Sequence, residues 1–323
     1  MLILDIHMTE YNRVPIDNPS WQAWPLHSRV HPLNAFPNEG VCCYVKRDDE
    51  LSLGISGSKL RKYSSIIPHL IERAVSTLVI IAGTQSNNLL AALQVACEHR
   101  WKIEAFLLRP WQMPTAGNYR LSSMMLNEED IHWVDREQWA EVESIAADYI
   151  EKQKCSNEYF LLNEGASVPE ALSGAMTLAT DIIENERAMG VRFQHLFIDA
   201  GTGFTAASLL KAMKEKNHPV EIHVLVLADD EICFSQRCFE WTGHRPAYGQ
   251  CFRPSTARSF GAVNQTIRAE IRRMALEEGI LCDPVYSAKL FHEARKRVTS
   301  EGLKGNVLIV HSGGALSLAA NAL

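Results

Sequence analysis

The stretch ISGSKLRK at residues 55–62 places Lys59 where a Gly/Ser turn gives way to a helical period. Leu60, Tyr63, Ile66, Ile67, Leu70 and Ile71 recur at helical spacing, so Lys59 falls in the first turn. First-turn amides and the macrodipole disfavour a cation there by about 0.3–1 kcal/mol, which pushes the side chain toward its neutral amine. A neutral lysine is a nucleophile that condenses with a carbonyl to a Schiff base. The stretch is also compatible with a solvated lysine that merely follows a turn, because solvent screens the dipole.

Three further turns carry residues of chemical interest. DAGTGFTAAS (199–208) offers glycines through which backbone amides can approach a phosphate, followed by a helix start that receives its charge. It lacks G-K-[ST] and is therefore no Walker loop. Gly201, Gly203 and Ala206 do satisfy G-x-G-x-x-A, and the next apolar run ends in Asp229 and Asp230, so a nicotinamide dinucleotide with a ribose-binding acid is a second reading. A tight turn without ligand is a third. GTQSNN (83–88) lines up Gln85, Ser86, Asn87 and Asn88 where a helix begins. Ser86 or Asn87 serves as N-cap, and the remaining polar groups at the helix start suit a bound carboxylate. HSGGA (311–315) signals a tight bend. No H-E-x-x-H or Cys/His cluster accompanies it, so no metal is expected.

These turns need a scaffold, and the apolar runs describe one. TLVIIAG (77–83), KIEAFLL (102–108), HLFIDAG (195–201), EIHVLVLA (221–228) and NVLIVHSG (306–313) read as buried strands. NNLLAALQVACEHR (87–100) and TAASLLKAMKEK (205–216) read as amphipathic helices after them. The alternation predicts an α/β protein of doubly wound type, with ligands at the carboxyl ends of its strands. The prolines at 15, 19, 25, 32 and 37 predict an irregular lead-in.

With 323 residues the chain is long enough for two cores. A net charge of −6 with interspersed signs argues against nucleic acid and anionic membranes as partners. Eight cysteines without a C-x-x-C pair predict reduced thiols and a cytoplasmic location. The opening MLILDIHMTEYNRV lacks the cationic and apolar regions of a signal peptide, and no run reaches the length of a membrane span.

Taken in order, VKRDD (45–49), GSKLRK (57–62), GTQSNN (83–88), AGN (116–118), EGASVPEALSG (164–174), GTGFT (201–205), EEGILCDPVYSAK (277–289) and VLIVHSGG (307–314) resemble a known family. It is the pyridoxal-phosphate-dependent D-cysteine desulfhydrases and 1-aminocyclopropane-1-carboxylate deaminases, within the tryptophan synthase β-like group of fold type II. The resemblance implies two open, twisted, mainly parallel sheets flanked by helices. It also implies a larger cofactor-binding domain from residues 1–57 and 168–323, and a smaller inserted α/β domain at 58–167. Lys59 would bind pyridoxal 5'-phosphate as a Schiff base. Gly201, Thr202, Gly203 and Thr205 would cradle its phosphate, and Asn87 would meet its ring hydroxyl. Ser287 would face the pyridine nitrogen and, as a hydroxyl, leave it largely uncharged. Ser86 would bind the substrate carboxylate and relay protons, with Gln85 and Asn88 beside it, and Tyr286 would be an active-site tyrosine. The implied reaction converts a small amino acid to a 2-oxo acid and ammonia, in a homodimer.

Several residues depart from the family pattern. Phe204 replaces a small residue and is expected to crowd the phosphate turn. Ser58 stands for an asparagine. Phe260, in SFGAVNQ (259–265), stands for a second active-site tyrosine. The segment ALSLAANAL after HSGG lacks the usual proline. A catalytically altered or inactive cofactor-binding relative is therefore an alternative, beside the nicotinamide-dependent oxidoreductase.

Overall fold

The structure, a computed structural model, describes residues 24–37, 39–51, 57–247 and 249–320. Pro15 and Pro19, and with them most of the predicted lead-in, lie outside the described residues. The strands are β1 (Val30–Pro32), β2 (Val41–Arg47), β3 (Thr77–Gly83), β4 (Lys102–Leu108), β5 (Ile131–Val134), β6 (Tyr159–Leu162), β7 (His195–Ala200), β8 (Glu221–Val226), β9 (Cys251–Phe252) and β10 (Gly305–His311). The helices are α1 (Lys59–Glu72), α2 (Asn87–His99), α3 (Asn118–Ser122), α4 (Val142–Glu151), α5 (Leu172–Met189), α6 (Phe204–Glu215), α7 (Glu231–Thr242), α8 (Gln265–Glu278) and α9 (Ser287–Ser300). Among the described residues, no helix is long and apolar enough to cross a membrane.

Two open sheets result. The larger runs β1-β2-β10-β7-β8-β9, parallel throughout except for β1 against β2. The smaller runs β5-β4-β3-β6, all parallel. The strand period of two explains how each sheet takes helices on both faces. On β10, Val307 and Ile309 pack with Ile271, Met274, Phe291 and Ala294 of α8 and α9, whereas Leu308 and Val310 pack with Leu178, Ile182 and Leu209 of α5 and α6. On β3, Leu78, Ile80 and Ala82 join α1 and α2, while Val79 and Ile81 face Val142 and Ala146 of α4.

This layering fixes where the turns meet. The chain leaves β7 toward β8 on one side, and β10 lies on the other, so the carboxyl ends of β7 and β10 flank a reversal of strand order. Such a reversal opens a crevice for ligands. The Gly201–Gly203 turn follows β7 and the Ser312–Gly314 turn follows β10.

Candidate active site

Lys59 opens α1, and the first two residues of its turn are tied to the end of β10. The Ser58 N–H donates to the Ser312 carbonyl at 3.0 Å. Gly57 holds φ +54°, and a Cβ there would stand 2.1 Å from that same oxygen, so glycine is required. Farther along α1, Arg61 donates from Nε and Nη2 to Asp48 at 2.7 Å and from Nη2 to Asp181 at 2.6 Å, with Lys46 also paired to Asp181. At Gly174 of α5 a Cβ would stand 2.1 Å from the Arg61 carbonyl, which lets α5 pack directly on α1. A buried ion network and a bare glycine thus hold the helix that presents Lys59.

Lys59 is partly accessible yet largely enclosed by protein, and we term the space it faces the recess. Burial lowers its ammonium, against the pull of the nearby Asp199 and Asp283 carboxylates. Asn87, Asp199, Gly201, Thr202, Tyr286 and Ser312 share this partial exposure.

Beside the recess the turn into α6 has the shape of an anion cradle. Gly203 is the N-cap with φ +96°, and no side chain caps the helix, so its first amides are open. A Cβ on Gly201 would lie 2.8 Å from the Tyr286 ring, and one on Gly203 2.6 Å from the Phe234 ring. Thr202 accepts from the Ser167 hydroxyl at 3.0 Å, and Thr205 lies in the first turn of α6. Phe204 does not crowd this turn. It is 1% exposed, turned into the core beside Trp241, and the Lys62 ammonium sits 4.9 Å over its ring.

Lys62, which reading from residue types overlooked, lies beside this turn. Its Nζ donates to the Gly165 carbonyl at 2.7 Å, and burial together with the Lys59 charge holds its ammonium well below the usual lysine value. Among the described residues no carboxylate pairs with Lys62, and its amine lies beside the start of α6, where an anion would be met. Its sequence signal is the i, i+3 spacing from Lys59, which puts both amines on one helix face.

The polar turn after β3 divides its roles. Ser86 is the N-cap of α2, its Oγ accepting the Asn88 and Leu89 N–H groups at 3.1 and 3.2 Å. The Asn87 Oδ1 accepts from Asn118 at 2.7 Å, which leaves its Nδ2 toward Gly314. Gln85 reaches the other way, donating to the Ala116 carbonyl at 2.9 Å and so tying down the segment before α3. Asn88, expected near substrate, is 1% exposed and accepts from the Tyr63 phenol at 3.1 Å, because the α2 period turns it into the core.

Tyr286 and Ser287 enter from the start of α9. Burial, and after it the Asp283 carboxylate, raise the Tyr286 phenol, so it keeps its proton at neutral pH and acts as a donor. The Phe260 ring meets it edge-on at 5.9 Å. Ser287 is fully buried and its hydroxyl donates to Asp283 Oδ1 at 2.8 Å while accepting the Asp283 N–H at 2.8 Å.

The residues present suit a phosphorylated aldehyde: a desolvated amine, an uncapped glycine turn, a second buried amine beside it and a recess between. Residues 26–313 match the family described as pyridoxal-phosphate dependent enzyme. Among curated proteins, the chain is 27% identical over 321 residues to the 1-aminocyclopropane-1-carboxylate deaminase of Cyberlindnera saturnus, covering 91% of this chain and 92% of that one. It is 25% identical over 341 residues to a bifunctional D-cysteine desulfhydrase/1-aminocyclopropane-1-carboxylate deaminase, mitochondrial, of Arabidopsis thaliana, covering 94% and 83%. To the D-cysteine desulfhydrase of Serratia proteamaculans it is 24% identical over 291 residues, covering 85% and 87%. Among solved structures, an ACC deaminase homologue superposes with a TM-score of 0.81 at 21% identity, covering 92% of both chains, and shares the fold. The dinucleotide reading of Gly201, Gly203, Ala206 and Asp229 gives way to this match. In the structure the Asp229 carboxylate is paired with Arg237 at 2.6 Å.

Proposed function

We propose that this chain, which belongs to the pyridoxal-phosphate dependent enzyme family, is a lyase or deaminase that converts a small amino acid to a 2-oxo acid and ammonia. Pyridoxal phosphate is its cofactor. The observation that carries the reading is the desolvated Lys59 amine in a recess bounded by the α6 glycine turn and by Tyr286.

When bound, the cofactor supplies an electron sink for the pair left at Cα after proton loss. The chain does the rest. Lys59 would hold the aldehyde end, and its free amine would take the Cα proton as general base. Its lowered affinity for protons at neutral pH suits that role. Gly201, Thr202, Gly203 and Thr205 with Lys62 would hold the phosphate, and Asn87 would meet the ring hydroxyl. The Ser86 hydroxyl still has its own proton to give while its oxygen caps α2, so it binds the substrate carboxylate. Tyr286 keeps its proton and is placed to give it to the departing group. For D-cysteine the balance is amino acid plus water to pyruvate, ammonia and sulfide.

The same reading treats residues 58–167 as the smaller inserted unit, supported by a four-stranded sheet that uses residues 77–162 alone. It places a homodimer in the cytoplasm, supported by cysteines that are all free among the described residues.

The test is the visible absorbance of the protein with pyridoxal phosphate, then product assays with D-cysteine and 1-aminocyclopropane-1-carboxylate. Borohydride fixes the cofactor to the peptide holding Lys59, and Lys59→Ala abolishes both band and product. A coloured protein that releases ammonia from neither substrate supports the catalytically altered relative instead.

A further inference from the structure

Two acids and a hydroxyl stand near the recess, and two of the three are buried and fully engaged. Asp283 accepts the N–H groups of Val285, Tyr286 and Ser287 and the Ser287 hydroxyl, each at 2.8 Å. Ser287 both donates to and accepts from Asp283 and has no exposed surface. Asp199 differs. It is the penultimate residue of β7, partly exposed to the recess, and among the described residues it accepts one hydrogen bond, from Ser312 Oγ at 2.8 Å.

We propose that Asp199 is the group that meets the ring nitrogen of the bound cofactor and keeps that nitrogen protonated. The proposal rests on the cofactor assignment above and moves to Asp199 a role that sequence resemblance gave to Ser287. In pyridoxal phosphate the nitrogen lies across the ring from the carbon that bears the aldehyde. With the aldehyde at Lys59, the phosphate at the α6 turn and the ring hydroxyl at Asn87, the nitrogen needs a partner on the remaining wall. Of the partly exposed residues around Lys59, Tyr286, Asp199 and Ser312 remain for that wall. Tyr286 stands against Gly201, on the phosphate side. The Ser312 hydroxyl has committed its proton to Asp199, so it can only accept and carries no charge to hold a proton on the nitrogen. That leaves the Asp199 carboxylate as the recess anion with capacity to spare.

Its surroundings suit a shared proton. Burial raises the Asp199 carboxyl, the Ser312 bond opposes that, Asp283 raises it, and Lys59 and His311 lower it. With the Tyr286 phenol, which Asp199 in turn raises, these are the charged and titratable groups facing it from α1, β10 and the start of α9. Ser312 also fixes the carboxylate's direction, since its own carbonyl is held by Ser58. A carboxylate against a pyridine nitrogen stabilises the pyridinium, and a pyridinium withdraws electrons from Cα more strongly than a neutral ring.

The experiment is the ¹⁵N spectrum of holoprotein reconstituted with ring-¹⁵N pyridoxal phosphate, for wild type, Asp199→Asn and Ser312→Ala. Protonation moves the ring resonance far upfield. The expected result is an upfield signal in wild type and Ser312→Ala, and a downfield, unprotonated signal in Asp199→Asn. A downfield signal in wild type overturns the proposal whether or not the variant folds, and so does an upfield signal in a folded Asp199→Asn protein. If labelled cofactor does not bind wild type at all, the cofactor assignment falls first and the proposal with it.

Discussion

Arg61 and Asp48 form a two-toothed ion pair, Nε and Nη2 each 2.7 Å from a carboxylate oxygen, and neither side chain reaches solvent. Arg61 stands two residues beyond Lys59 on α1, so this pair anchors the helix that presents Lys59 to the end of β2. Asp181 of α5 and Lys46 of β2 complete the network. Removing the guanidinium leaves Asp48 and Asp181 with Lys46 as their shared cation. Arg61→Ala is expected to cost ~3–5 kcal/mol, the penalty for stranding buried charge. Urea unfolding checks it, and Arg61→Lys should recover little, because an ammonium cannot serve both carboxylates in the same geometry.

The same pair gives an acid dependence with a definite sign. Burial alone would raise the Asp48 carboxyl, but the Arg61 charge and bonds and Lys46 hold it below the usual carboxylate value. A carboxyl whose folded pKa lies below its unfolded one stabilises fully above the unfolded value, about 3.9, and loses that contribution as pH falls through the folded one. Wild-type urea midpoints should therefore drop more steeply than those of Asp48→Asn between about pH 5 and about pH 3. Parallel slopes would refute the assignment.

Lys62 predicts a trade between affinity and apoprotein stability. Its charged form is disfavoured by burial, so the folded chain holds fewer protons than the unfolded one below the ordinary lysine value. Stability of the apoprotein should rise with pH on the approach to the unfolded lysine value, about 10.4, and the rise should shrink in Lys62→Met. The same variant should weaken cofactor binding ~10–100-fold, as expected for one charge-assisted bond to phosphate. Absorbance titration with pyridoxal phosphate measures it.

Gly174 allows α5 to touch α1. A methyl group 2.1 Å from the Arg61 carbonyl and 2.6 Å from Ser65 Oγ cannot be accommodated without moving one helix. Gly174→Ala is expected to lose at least ~1–3 kcal/mol of stability and to weaken cofactor capture, because α1 carries both amines. Unchanged thermal unfolding would show that the helices are less closely seated.

Phe260 faces the Tyr286 ring and is 55% exposed, so a phenol oxygen at its tip meets no packing obstacle. If the missing hydroxyl limits acid–base chemistry, Phe260→Tyr should raise kcat on the favoured amino acid, on the order of 10²-fold for a working proton donor. A fall or no change assigns the phenylalanine to substrate choice instead.

Much of this protein was legible in residue order. β3 and β4 span the residues that their apolar runs predicted, and β7, β8, β10, α2 and α6 begin and end within one or two residues of expectation. Continuous apolar runs belong to parallel strands covered on both faces, so the runs alone required an α/β fold. Lys59 and the glycine turn at 201–203 stood out because a cation at a helix start and glycines after a strand are locally costly choices. The short strands β5, β6 and β9 carried no comparable signal, since two to four residues show no period. The settings of Asp199 and Asn88 were beyond sequence reasoning for another reason, whereas Lys62 carried a signal in its i, i+3 spacing from Lys59. Asp199 and Ser312 lie 113 positions apart and meet only because β7 and β10 are neighbours in one sheet. Whether a polar side chain faces the recess, as Asp199 does, or the core, as Asn88 does, follows from strand order and helix rotation. Those are set by how the two sheets pack their helices, a long-range balance that no local pattern encodes.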